Sequence, residues 1–215
     1  MMNNKRLLTK DEVVRVWLYR GIEDFFFAFK NDVSFVRYGP FFNYMGLELV
    51  SKSYLLGCRA TEYENEPYKN GLLKVNSIAK SFSHKIGDII LEIEQRKPSG
   101  TIGTILSRTF EGIAGATIVE ILPSVYLECR YPVPDPIYRK FPIPGKKGMF
   151  IDPVGATGLR SFCYAIALEI LAYIRDDLGL KIEQAFLERF KPKTTYRRFQ
   201  NLFFGDQRRY LIERK

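Results

Sequence analysis

The chain has 215 residues, enough for one large core or for one ordinary core carrying an extension. Hydrophobic residues at 46% and charged residues at 27% lie near the globular average and exclude a disordered chain. The 33 Lys and Arg against 24 Asp and Glu leave a formal charge of +9, which favours polyanions such as RNA, DNA or an acidic membrane face without naming one.

Thr9 and Glu12 have the spacing of a capping box and open a first helix over about Lys10 to Phe29. Val13, Val14, Trp17, Ile22, Phe25, Phe26 and Phe29 recur at helical spacing and form its apolar face, with Arg15, Glu23 and Asp24 expected to point elsewhere. A turn at Asn31 and Asp32 leads to a second helix from Pro40 to Leu56, with Gly57 near its C-cap. The polar stretch Glu62 to Lys74 reads as a loop that passes into a short helix near Leu72 to Ala79. Ser83 caps a helix from His84 to about Gln95, whose stripe is Ile86, Ile89, Ile90 and Ile93.

Lys97 to Gly100 ends that helix, and Thr101 to Ala116 is ambiguous between loop and weak helix. Thr117 to Cys129 reads as helical with a kink at Pro123. The six prolines between Pro132 and Pro153 dictate a long non-helical connection. Asp152 and Pro153 then start a long helix that runs to Leu178 and closes with Gly179. A further helix is expected over Leu180 to Phe190. Beyond it the composition changes: Arg197, Arg198, Arg208, Arg209 and Arg214 alternate with Tyr196, Phe199, Phe203, Phe204 and Tyr210.

Cys58, Cys129 and Cys163 are odd in number and widely spaced, as suits reduced thiols. One histidine and no CxxC argue against a zinc site. Phosphate-loop, dinucleotide, nucleophile-elbow and HExxH signatures are missing, so neither metal nor cofactor is expected. MMNNKRLLTKDE lacks the apolar run of a signal peptide, and charges break every apolar stretch before the ~20 residues that span a bilayer. A cytoplasmic location with no membrane partner is the expectation.

Three ordered patches resemble the HEPN superfamily. Gly46-Leu47-Glu48-Leu49-Val50-Ser51-Lys52-Ser53-Tyr54-Leu55-Leu56 is similar to its second-helix pattern of an acidic residue, a lysine one turn on and a hydrophobic pair. His84-Lys85-Ile86-Gly87-Asp88-Ile89-Ile90 resembles its histidine-led third helix, and Tyr126-Leu127-Glu128-Cys129-Arg130-Tyr131-Pro132 the Arg-Tyr-Pro segment before the last helix. The resemblance implies an all-α, up-and-down helical bundle over residues 1–180. It carries a long Pro-rich loop before the last long helix, and residues 181–215 follow as a basic and aromatic C-terminal extension.

The resemblance also implies activities: metal-independent ribonucleases, toxins and defence effectors, or silent partners that bind RNA or a nucleotidyltransferase. Ribonuclease members carry an Arg followed within a few residues by a His, usually assembled across a homodimer. Here Arg130 is followed by Tyr131-Pro132-Val133-Pro134-Asp135-Pro136, with no histidine.

Each candidate residue has a plain alternative. Glu48 and Lys52 line a polar groove or form a bland surface ion pair. His84 is a general acid or base, or a structural hydrogen-bonding residue at a helix start. Arg130, beside Tyr131, holds a phosphate or pairs with Asp135. In the extension, Arg197, Arg198, Arg208 and Arg209 track a nucleic-acid backbone while the rings stack on bases, or the rings dock on the body or on a second subunit. Three functions follow: an RNA-binding or defence-complex component without the standard motif, an unconventional ribonuclease using His84 and Arg130, and a protein-binding scaffold. A homodimer or a hetero-complex is the expected assembly.

Overall fold

In a computed structural model of the protein, residues 6–31, 38–82, 84–97, 100–107, 117, 120, 122, 153–190 and 193–213 are described. They form an all-α fold. The first helices are α1 (Lys10–Asn31), α2 (Tyr38–Cys58), α3 (Tyr68–Ser81), α4 (Ile86–Arg96) and α5 (Thr101–Leu106). The long α6 (Pro153–Leu178) follows, and then the short α7 (Gln184–Leu187), α8 (Lys193–Phe204) and α9 (Arg208–Leu211). Two-residue strands β1 (Ile182–Glu183) and β2 (Ile212–Glu213) pair in parallel, Ile182 opposite Ile212 and Glu183 opposite Glu213.

Helix α1 starts where its capping residue predicts. The Glu12 amide donates to the Thr9 hydroxyl at 3.3 Å, which is the Thr half of the capping box, while the Glu12 carboxylate accepts from Arg6 at 2.6 Å. The predicted apolar face is inward: Val13, Val14, Ile22, Phe25 and Phe26 are buried. Asp24 departs from expectation and is buried as well. The cause is that α1 packs under α2 on one side and under α8 on another, so its buried stripe is wider than a single partner would make it.

Helices α1, α2 and α6 build the centre. Gly21 lies against Gly46, and Val14 against Gly57, so α1 and α2 run in opposite directions. A Cβ at Gly21 would stand 2.9 Å from the Gly46 carbonyl oxygen, and one at Gly46 would stand 2.9 Å from the Gly21 carbonyl oxygen and from the Phe25 ring. Only hydrogen fits at that crossing. Phe25 meets Tyr164 of α6 edge-on at 5.3 Å, while Tyr54 of α2 donates to Asp177 at 2.7 Å. Helix α6 therefore runs alongside α2 in the same direction. It ends at Leu178 as predicted, with Gly179 at φ +71° and its amide bonded to the Arg175 carbonyl at 3.1 Å.

Three local expectations change. Helix α3 begins at Tyr68, inside the predicted loop, because Pro67 suits a helix start and Gly71 fits close against Leu8 and the Tyr63 carbonyl. Helix α4 begins at Ile86, not His84, and its four isoleucines are buried as predicted. The segment from Leu180 to Phe190 is not one helix. Its start is drawn into β1 by β2, by the Tyr19 hydroxyl, which accepts from the Glu183 amide at 3.2 Å, and by Arg15, which donates to the Lys181 carbonyl at 2.9 Å. The ambiguous segment after Gly100 forms α5 as far as Leu106. Cys129 and nearly all of the Pro-rich connection lie outside the described residues.

Residues after Gly179 join the same core. Phe199 and Phe203 are fully buried, with Phe199 at 5.3 Å from Phe26 and Phe203 at 5.1 Å from Phe25 and 4.8 Å from Tyr164. Tyr19 stacks on Phe186 at 3.9 Å. Arg15 ties the two strands to α1, reaching Glu183 at 3.2 Å and Glu213 at 3.4 Å.

Burial pushes the Asp24 carboxyl up to about 6, against the pull of Arg20 at 3.6 Å and with a further push from Glu23. The folded state then holds this proton more tightly than the unfolded chain, whose Asp titrates near ~3.9. Stability attributable to this group falls as pH rises from about 4 to about 6. Asp24→Asn should therefore be more stable than the parent at pH 7 by about 2 kcal/mol, with the gap closing near pH 4. Urea denaturation across that range measures it, and a variant less stable at pH 7 than at pH 4 relative to the parent would contradict the assignment.

Candidate functional site

Tyr44, Glu48 and Lys52 are spaced one helical turn apart and form one row on α2. Lys52 Nζ donates to Glu48 Oε1 at 2.8 Å, with side-chain exposures of 5% and 2%. His84 brings Nδ1 to the same oxygen at 2.9 Å while its side chain stays 60% exposed. The Tyr44 hydroxyl donates to the His84 carbonyl and accepts from the Ile86 amide at 3.4 Å. A side chain from α2 thus satisfies a backbone amide at the start of α4, a tertiary cap that local sequence does not display. Ser83, the expected cap, lies outside the described residues.

The chemistry of this row differs from that of a surface ion pair. Taking two charges out of water costs several kcal/mol each, which their attraction recovers only with good geometry. Glu48 Oε1 receives both neighbours, whereas Oε2 is buried and accepts no hydrogen bond. With a proton on Nδ1 facing the carboxylate, Nε2 is the basic nitrogen of His84. Glu48 therefore fixes the orientation of the imidazole. Sequence reasoning found Glu48, Lys52 and His84 but missed Tyr44, whose one signal was its place a turn before Glu48.

Arg130, Tyr131 and Asp135 lie outside the described residues, so no geometry connects them to His84. A second polar cluster sits at the other end of α2. There Asp177 accepts from Tyr54 at 2.7 Å and from Lys97 at 2.7 Å. Cys58 is nearby, its thiol pushed up chiefly by burial. Among the described residues no three His, Cys, Asp or Glu side chains gather as a metal site, and no helix is long and apolar enough to cross a membrane.

The C-terminal segment separates its two residue types cleanly. On α8, Tyr196, Phe199, Gln200, Phe203 and Phe204 are buried, while Arg197, Arg198 and Asn201 are exposed. Arg208 and Arg209 on α9 are exposed as well. None of these four arginines enters an ion pair among the described residues. The rings of Phe199, Phe203 and Phe204 are thus spent on the core and are not offered to bases or to a second subunit. Leu202 and Tyr210 are the large apolar side chains that this segment exposes.

No family model, curated protein or solved structure matches the chain.

Replacing Lys52 with Met should lower stability by about 3 kcal/mol, because it removes the ammonium partner of a buried carboxylate. The double variant Glu48→Gln/Lys52→Met should recover most of that loss. Chemical denaturation of the parent, the single and the double variant measures both, and a double variant as unstable as the single one would show that the lost partner is not the cause.

Proposed function

We propose that the protein is a HEPN-like nucleic-acid-binding module with RNA as its ligand. It works in the cytoplasm as a homodimer or inside a defence or toxin–antitoxin complex. The observation that carries this reading is the set Arg197, Arg198, Arg208 and Arg209, exposed and without ion pairs among the described residues, on a segment anchored by buried side chains. Exposed guanidiniums are the groups suited to phosphate oxygens, since they stay charged and present a planar fork of donors. The surplus charge of the chain supports it too: residues 181–215 hold ten Lys and Arg against four Asp and Glu.

Binding of an RNA oligonucleotide measured at several salt concentrations tests the proposal. Affinity should fall linearly on a log–log plot, with a slope of about −0.7 to −0.9 per phosphate contacted. Replacing all four arginines with Gln should make that slope shallower by about 3. Undetectable binding at low salt would sink it.

A second reading, metal-independent ribonuclease, is favoured by the 2.9 Å contact between Glu48 and His84. A carboxylate-held imidazole is suited to accept the proton of a ribose 2′-hydroxyl through Nε2. The freed oxygen attacks the adjacent phosphorus and the bond to the 5′-oxygen breaks, so that the cyclic phosphate forms, the 5′-oxygen takes a proton from water, and His84 returns its proton to solvent. Arg130 supplies the charge for the phosphate in this scheme. Cleavage in the presence of a chelator should drop by about a hundredfold or more in His84→Ala and in Arg130→Ala. Unchanged activity in both variants removes this assignment.

A further inference from the structure

We infer that the C-terminal segment reads the phosphate backbone of a double-stranded nucleic acid and not the bases of a single strand. This rests on the nucleic-acid reading above and narrows it to a substrate class.

Proteins that hold single strands combine a basic track with aromatic rings on which successive bases stack. Sequence alone offers both in this segment, since its arginines and rings alternate. The fold keeps one and withdraws the other. Phe199, Phe203 and Phe204 are at 0% exposure, and Tyr196 is buried beside Gln200, to which it is hydrogen-bonded. The exposed ring of Tyr210 has the Arg209 guanidinium over it at 5.6 Å, so a cation already sits at one of its faces. What the segment turns outward includes Arg197, Arg198, Asn201, Arg208 and Arg209, side chains that bond phosphate oxygens, with Leu202, Asp206 and Gln207 exposed among them.

Charge density then decides between the two forms of ligand. A duplex places one charge per about 1.7 Å of axis, and each phosphate neutralised releases more counterion than on a single strand. A surface whose cations are guanidiniums and whose phenylalanine rings are buried gains more from the denser target, and duplex RNA is recognised chiefly through shape, phosphates and 2′-hydroxyls. The anchoring supports this reading, because α8, fixed by its core rings, and α9, fixed by Leu211, hold their arginines at set positions while a loose tail would mould itself to a flexible strand.

The full chain is titrated by fluorescence anisotropy against a short RNA duplex, a second duplex of shuffled sequence, and each separated strand. All measurements share one salt concentration. The two duplexes should bind within about twofold of one another and roughly tenfold tighter than any strand. The Arg197→Gln/Arg198→Gln/Arg208→Gln/Arg209→Gln variant, verified as folded by its circular dichroism, should lose that preference. Single strands bound as tightly as the duplexes, or a shuffled duplex bound tenfold more weakly, would overturn the inference while leaving nucleic-acid binding intact. Duplex binding undiminished in the folded variant would also overturn it, because the site would lie elsewhere. No binding to any ligand would remove the inference and the proposed function together.

Discussion

Two helices meeting backbone to backbone at Gly21 and Gly46 set the geometry on which the rest of the molecule depends. The carbonyl of each glycine occupies the place where the other's side chain would begin. Such an approach brings many atoms of α1 and α2 into contact at the spacing where dispersion is strongest. It also fixes the roll of α2, and with it which of its residues face α4. Tyr44, Glu48 and Lys52 fall on that side, so the polar row that holds His84 follows from a crossing two residues before Glu48. Phe25, seated on Gly46, turns the same contact toward Tyr164 and Phe203, linking the crossing to α6 and α8.

The opposite side of α1 is closed by chain that comes late in the sequence. Phe186, Phe199, Phe203 and Phe204 are all buried there, and each such ring contributes about 1.5–3 kcal/mol when withdrawn from water. Arg15 completes the arrangement electrostatically. Its guanidinium meets Tyr19, the Lys181 carbonyl, Glu183 and Glu213, which draws one point of α1 and both strands into a single knot. These partners are partly exposed, so the knot chiefly sets position, and the rings supply the greater part of the stabilisation.

Helical periodicity made α1, the isoleucine stripe of α4 and the whole of α6 readable from sequence, since each shows a face and a recognisable end. The tertiary contributions were not readable. Tyr44 caps α4 from another helix, Asp24 is enclosed because two neighbours cover α1, and Ile182–Glu183 leaves the helical state to pair with residues thirty positions on. Each outcome depends on a partner remote in sequence, which local propensity cannot register. The candidate site divides in the same way. Glu48, Lys52 and His84 were visible as residue types, but the burial that separates a structural ion pair from a solvated one comes from packing. In the C-terminal segment the alternation of rings and arginines was plain, and which of the two faced water was not.

The route by which α1 is covered has a consequence for synthesis. Chains grow from the N-terminus, so α1, α2 and even the far-off α6 are made before the rings that seal them. Until residues 199 to 212 are available, Phe25, Phe26 and Tyr164 border an open aromatic trough. A nascent chain halted within that interval displays the trough to whatever else is present, such as a chaperone or a second unfinished copy. For this fold the aromatic segment is thus a cover laid after the core it closes, and its loss uncovers Phe25, Phe26 and Tyr164 together.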